Sequence, residues 1–415
     1  MSISYKNKKT LGDLDLTQYK KAVVRLDLNV PIDKKTLAIT DKHRITQALP
    51  TVKKLLDSKL KVIILSHISR IKSLDDIKSG AKSMSIVAKE LQNQLSDKKV
   101  VFIPSFDNFE EVRGAINNQP EADVYVLENT RYYDIDTSGN IVKRESKNDP
   151  DLAKFWASLG DVFINDAFGT CHRSHASNVG IAGFLPSAIG LLVERELQFL
   201  SKAVESNDHP KVLILGGSKV SDKLKLINAI TPQVDRVLVG GGMVYTFLKA
   251  MGKPVGKSIV EEDMIEECKD MLNKYKDKLV LPVDHLVAPV FQDIPGEVKG
   301  VDESGWDDQM ALDIGPESAS IYASKLDDAR VVIWNGPMGV FEFDNFASGT
   351  AVIALKLAEI TKKGAYTVIG GGDSAAAVLK FDLSSQMSFI STGGGASLTF
   401  FEGAPMPGIE CISDK

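Results

Sequence analysis

The chain has 415 residues, charged residues make up 25% of it, and its formal net charge is −5. That length accommodates two domains, and the acidic balance argues against a general nucleic-acid or anionic-membrane binder. The three cysteines, Cys171, Cys268 and Cys411, are too few and too scattered for a disulfide framework or a paired zinc site, no apolar run reaches a membrane span, and the polar opening 1–10 lacks a secretory-signal core, so a cytoplasmic protein is expected.

Short β-branched runs at 22–28, 61–65, 100–103, 124–127 and 162–164 alternate with helically spaced stretches such as 45–56 and 84–95. The alternation predicts a mainly parallel sheet covered by helices. Ligands bind such sheets beyond the carboxyl ends of the strands, so the residues after each run are the candidates. Strand period two puts Arg25, Asp27 and Asn29 on one face, and Arg44 opens the next helix. The second run leads into Ser66-His67-Ile68-Ser69-Arg70, the fourth into Glu128-Asn129-Thr130-Arg131, and the fifth into 165–175, with His172, Arg173 and His175. Any one of these cations also reads as a solvated loop residue. As a set confined to strand ends they suit an anionic small molecule, and Arg forks match phosphate oxygens. The histidines lack Cys, Asp or Glu at metal-ligand spacing, so hydrogen bonding or phosphate contact is expected of His67 and His175, with His43, His209 and His285 incidental.

The stretch 187–204 reads as one helix behind Pro186, and the domain junction is placed there. Four glycine clusters follow, each between a strand-like run and a helix-like one: Gly216-Gly217, Gly240-Gly241-Gly242, Gly370-Gly371-Gly372-Asp373-Ser374 and Gly393-Gly394-Gly395. Glycine lets a ligand approach the main chain, and a helix N-terminus offers unpaired N–H groups to phosphate. Tight turns also need glycine, but four clusters in half a chain suit a polyphosphate. Lys219 and Lys223, four apart, are expected on one face of a helix at 219–227. The segment 252–258 falls one residue short of a Walker A loop and follows helical sequence, and Gly370-x-Gly372-x-x-Ala375 is only a partial dinucleotide fingerprint. A strand at 331–334 runs into Asn335, Pro337, Val340 and Glu342, where Pro337 and Val340 would wall an adenine and Glu342 would meet a ribose. Asp373 is placed to reach Mg²⁺ on nucleotide phosphates, or is an ordinary N-cap.

Through Val24-Arg25-Leu26-Asp27-Leu28-Asn29-Val30-Pro31 and the stretches 165–175, 216–223, 334–342, 370–374 and 392–396, the sequence resembles phosphoglycerate kinase over essentially its whole length. The resemblance implies an α/β fold of two Rossmann-like lobes, each a mainly parallel sheet flanked by helices, joined by a long helix with a hinge. The lobes would be 1–185 and 207–398, the joining helix 186–206, and the segment 399–415 would return to the first lobe. It implies reversible, in-line phosphoryl transfer between 1,3-bisphosphoglycerate and ADP, giving 3-phosphoglycerate and ATP in glycolysis. Mg²⁺ would accompany ADP or ATP, hinge closure would precede transfer, and the chain would be a monomer with no nucleic-acid or membrane partner. Position by position, the glycerate site would be Arg25, Asp27, Leu28, Asn29, Arg44, His67, Ile68, Ser69, Arg70, Arg131, Arg173 and His175. The nucleotide site would be Lys219, Lys223, Gly240, Gly241, Asn335, Pro337, Glu342, Gly371, Gly372, Asp373 and Ser374. Arg44, Lys219 and the amides of Gly393, Gly394 and Gly395 would steady the moving phosphoryl group, and Asp373 would contact Mg²⁺. His67-Ile68-Ser69-Arg70-Ile71-Lys72-Ser73 departs from the family's His-Leu-Gly-Arg-Pro-Lys-Gly, which bears on loop kinetics, and Leu28 replaces a common Phe. A nicotinamide-dependent dehydrogenase would leave the cationic strand ends unexplained, and a non-catalytic nucleotide binder would take ADP without making ATP.

Overall fold

The computed structural model describes residues 5–415, so 1–4 of the polar opening lie outside it. The first-half runs become β1 (Lys21–Leu26), β2 (Lys61–Leu65), β3 (Val100–Ile103), β4 (Val124–Leu127) and β5 (Val162–Asp166), followed by a short β6 (Ser187–Ile189). All pair in parallel, in the order β3-β4-β2-β1-β5-β6. Both faces are covered, so Val23, Val24, Ile63 and Ile64 have no exposed surface, and the strands read as continuous apolar runs. The register sets Arg25 opposite both Leu65 and Asn165. The segments leaving β1, β2 and β5 therefore emerge side by side, and β4, paired with β2, adds its own.

The second half supplies β7 (Lys211–Leu215), β8 (Arg236–Val239), β9 (Leu279–Val280), β10 (Asp284–Ala288), β11 (Glu297–Gly300), β12 (Met310–Ile314), β13 (Val331–Asn335), β14 (Tyr366–Gly370) and β15 (Phe389–Ile390). Six form a second parallel sheet, β15-β14-β13-β7-β8-β9, while β11-β10-β12 form a separate antiparallel one. The small sheet was not expected from periodicity: β11 reads Glu-Val-Lys-Gly, and β10 carries Asp284 and His285 within it. Its core, Ala288 and Leu312 with Phe346, also packs Val340 and Phe343, so it backs the loop after β13.

Two helix expectations are corrected. Residues 187–189 are the edge strand β6, because they pair with Phe163–Asn165 of β5; the helix is Leu191–Glu205, whose first turn is capped by Asp166 Oδ1, accepting from the N–H groups of Leu192 (2.8 Å) and Val193 (3.2 Å). Residues 219–223 form a turn, with Lys223 N–H bonded to Val220 O at 2.9 Å, and the helix starts at Leu224 (Leu224–Ile230). Lys219 and Lys223 thus share no helical face.

The described chain divides into two compact units: residues 5–198 together with Pro405–Lys415, and Phe199–Ala404. The final segment is bound to the first unit by Asn165 Nδ2 donating to Gly408 O (2.7 Å) and Gly408 N–H to Cys171 O (2.9 Å). Among the described residues no helix is long and apolar enough to cross a membrane.

Candidate active site

At the carboxyl edge of the first sheet the main chain leaves β1 as 27–29. Arg44, in the first turn of the helix His43–Asp57, pairs with Asp27, and Asn29 N–H donates to Asp27 Oδ1 at 3.3 Å. Asn29 Oδ1 accepts from Ser69 N–H (2.8 Å), and Arg131 Nη1 donates to Ser69 O (2.5 Å). The loop after β2 is thereby held from both sides. Ser69 sits at φ +56°, a left-handed conformation that costs a non-glycine residue roughly 1–2 kcal/mol. The resemblance leads one to expect glycine there, and the two flanking bonds hold the serine in this left-handed conformation. Arg70 and Arg173 are exposed, and Arg131 is half-buried. Leu28 and Ile68 put their side chains into the core, so only their main chain borders the site.

Arg25 departs from the expectation of a ligand-facing cation: it is 1% exposed. Its Nε donates to Ser177 Oγ (2.8 Å), Nη1 to Leu26 O, and Nη2 to His67 Nδ1 (2.9 Å). Strand parity gave its face but not its depth. Burial, then the charges of Arg25 and Arg131, hold the His67 imidazole well below its ordinary pKa. Burial with Arg25, Arg131 and Arg173 drives His175 down to about 3. Both rings are neutral at pH 7, and the positive charge resides in the arginines. Arg131 is itself pushed down by burial and by Arg25 and Arg173, a crowding of like charge that an anion relieves. Glu145 and Ser177, buried beneath Arg25, gave no signal in the sequence, where Glu145 lies in a charge-rich stretch that reads as a solvated turn.

In the second unit the register sets Asn335 opposite Leu215 and Gly370, Leu215 opposite Val239, and Ile369 opposite Ile390. The glycine turns and the loop after β13 therefore leave one edge together. Much of the glycine pattern serves chain-on-chain packing. Gly216 N–H bonds Asn335 O (3.0 Å), Gly240 N–H bonds Leu215 O (2.7 Å), and Gly241 N–H bonds Met338 O (2.8 Å). Gly241 lies at φ +69°, and a Cβ there would come within 2.6 Å of the Gly217 backbone. By contrast, a Cβ at Gly372 or Gly394 would meet nothing described within 4 Å. Those two positions are open to a ligand.

Gly371, at φ +93°, is the N-cap of the helix Gly372–Lys380, so Asp373 is its second residue rather than its cap, and it is exposed. Ser374 Oγ accepts from Gly336 N–H at 2.6 Å and ties that helix to the loop after β13. The Lys223 ammonium donates to Asn335 Oδ1, and Asn335 Nδ2 to Gly370 O (3.0 Å). Burial pushes the Lys223 pKa down, and the charge of Asp373 opposes that shift. Lys219 and Glu342 are exposed, and Pro337 is half-buried. Gly393 N–H bonds Ser391 Oγ (3.1 Å), and Gly394 precedes the short helix Gly395–Phe401. Two unanticipated residues hold the loop from behind: Thr350 Oγ1 accepts from Met338 N–H (3.1 Å), and the buried Asp313 carboxylate lies against Gly339.

A sequence model of the family described as phosphoglycerate kinase matches residues 11–404. Curated phosphoglycerate kinases of Lactobacillus delbrueckii subsp. bulgaricus and Malacoplasma penetrans are 50% and 49% identical to the chain, covering 98% and 99% of it and 99% and 87% of themselves. Solved phosphoglycerate kinase structures from Coxiella burnetii and Pyrococcus horikoshii match with TM-scores of 0.81 and 0.80 at 36% and 29% identity, over 97% of this chain and 98% of theirs.

Proposed function

The chain belongs to the phosphoglycerate kinase family and is a kinase of glycolysis, and from that premise we propose how its residues divide the work. The observation that carries the reading is the crowd of mutually repelling arginines around two neutral histidines at the edge of the first sheet. Arg44, Arg70, Arg131 and Arg173 hold the phosphate and carboxylate of 3-phosphoglycerate, while His67 and His175 act as neutral hydrogen-bonding groups. Asp27 and Asn29 set Arg44 and the 68–70 loop. In the second unit Lys223 and the open amide at Gly372 receive the nucleotide phosphates, Asn335 and Ser374 hold that ammonium and that helix start in place, and Pro337 and Glu342 border the nucleoside.

In the ATP-consuming direction a carboxylate oxygen of 3-phosphoglycerate attacks the γ-phosphorus of ATP, and the bond to the bridging oxygen breaks, leaving ADP and the acyl phosphate. The nucleophile is already ionised at neutral pH, so the protein supplies position and charge rather than a base. Lys219 and Arg44 counter the charge spread over the transferring group, and the amides of Gly394 and Gly395, at the start of a helix, offer it N–H groups while Gly393, bonded to Ser391, shapes that turn. Among the described residues no cluster of three potential metal ligands occurs. The single exposed carboxylate of Asp373 suits a Mg²⁺ held chiefly by nucleotide phosphates and water. When bound, that ion screens phosphate charge. In-line transfer requires closure about the junction near Gln198, which also excludes water.

The test is ATP formation from 1,3-bisphosphoglycerate and ADP in a coupled assay. ADP binding without ATP formation leaves only a nucleotide binder, and cofactor-dependent absorbance at the reduced-nicotinamide band restores the dehydrogenase.

A further inference from the structure

We infer that Glu145 is a positioning residue that acts through Ser177 and Arg25 to set which nitrogen of His67 carries its proton, and so presents that ring to the substrate anion. The inference rests on the glycerate-site reading above. Glu145 has no exposed surface, and the Arg25 beside it is 1% exposed. A buried guanidinium needs a counter-charge. Two carboxylates act on Arg25, Glu145 and then Asp27, and Asp27 is already paired with Arg44.

The connection is directional. Ser177 Oγ donates to Glu145 Oε1 at 2.5 Å, so its one proton is committed there, and its lone pair accepts Arg25 Nε–H at 2.8 Å. At the far side of the guanidinium, Nη2 lies 2.9 Å from His67 Nδ1. A guanidinium has donors only, so Nδ1 must accept and the proton of the neutral ring sits on Nε2. The carboxylate, hydroxyl, guanidinium and imidazole thus form one chain ending at a ring that offers an N–H to an anion. Glu145 also anchors the backbone beside His175. Its Oε2 accepts from Ser177 N–H (3.0 Å) and its carbonyl from Ala176 N–H (2.9 Å), and His175 Nδ1, buried and without a hydrogen bond among the described residues, lies 3.6 Å from Oε1. Residues 176–180 form a single π-helical turn, a geometry frequent at functional sites.

The experiment follows the imidazole nitrogens of His67 by ¹⁵N NMR in the full-length protein, without ligand, alongside steady-state kinetics. The wild type should show the Nε2–H form. Glu145→Gln removes the counter-charge, and Ser177→Ala breaks the link while keeping the charge. Either variant should lose the single tautomer and raise KM for 3-phosphoglycerate about tenfold, as expected for loss of a hydrogen bond to a charged group, with kcat and the KM for ATP changed far less. If Glu145→Gln does not fold, Ser177→Ala carries the same expectation. An Nδ1–H form in the wild type, or wild-type shifts and KM in the variants, overturns the inference. A wild type that forms no ATP instead overturns the functional reading, whatever His67 shows.

Discussion

Asp313 offers a prediction whose size follows from its surroundings. The carboxylate is 2% exposed, and Oδ2 accepts from Gly349 N–H at 2.8 Å at the start of the helix Ser348–Lys362. Oδ1 accepts from Ile314 N–H at 2.9 Å. Burial outweighs these bonds and pushes the pKa from 3.8 up to about 7. The folded state therefore keeps a proton that the unfolded chain has released. Below about pH 4 both states are protonated; between there and about 7 stability falls as pH rises; above that the loss is complete. A shift of roughly three units at about 1.4 kcal/mol each sets a ceiling of about 4 kcal/mol. Asp313→Asn mimics the protonated form: its amide oxygen can still accept from Gly349, and loss of the second acceptor costs about 1 kcal/mol at every pH. The informative quantity is the slope. Urea unfolding from pH 4 to 7.5, followed by the fluorescence of Trp306 and Trp334 in the second unit, should show the variant gaining on the wild type by up to about 1.4 kcal/mol per unit. Parallel curves would refute the reasoning, since the other titrating groups are common to both proteins. Gly339 packs on Asp313 and Val340 N–H bonds Leu312 O at 2.8 Å, so the same titration bears on the loop that carries Pro337 and Glu342.

Lys219→Ala should lower turnover by about 10²-fold or more, with ADP affinity by calorimetry nearly unchanged, because the exposed ammonium is assigned to the moving group; unchanged turnover removes that role. Gly241→Ala should destabilise the protein by more than about 2 kcal/mol in denaturant unfolding, from a left-handed backbone and a Cβ driven onto Gly217. Gly372→Ala should fold normally yet raise KM for ATP, and the reverse ranking of the two glycines would contradict the packing account. Ser69→Gly should stabilise the protein by up to about 1 kcal/mol by relieving the left-handed strain, offset in part by a more flexible unfolded chain; a clear loss of stability would mean that the serine side chain contributes something the backbone geometry does not show.

The parallel sheets were legible because strands buried on both faces leave continuous β-branched runs, and the βα rhythm then places the functional residues at strand ends. The same logic fails where two periods fit equally. Ser187, Ala188 and Ile189 suit either a helix or a buried strand, and the choice falls to β5, a partner more than twenty residues away. Lys219 and Lys223 stand at helical spacing, yet the turn bonded through Val220 delays the helix to Leu224. Residue type located the chemistry, but not whether a residue meets a ligand or holds one that does. Arg25 and Arg131 look alike in the sequence; one is sealed against Ser177 and His67, the other borders the loop at Ser69. Gly241 and Gly372 look alike too, and only the approach of a second backbone segment separates a packing glycine from an open one. Glu145 lies in a run of charges and becomes a buried counter-ion because Ser177 is delivered to it from another part of the first unit. Apart from the local turn at Val220, each of these divisions is made by contacts distant in sequence, and a local pattern cannot carry them.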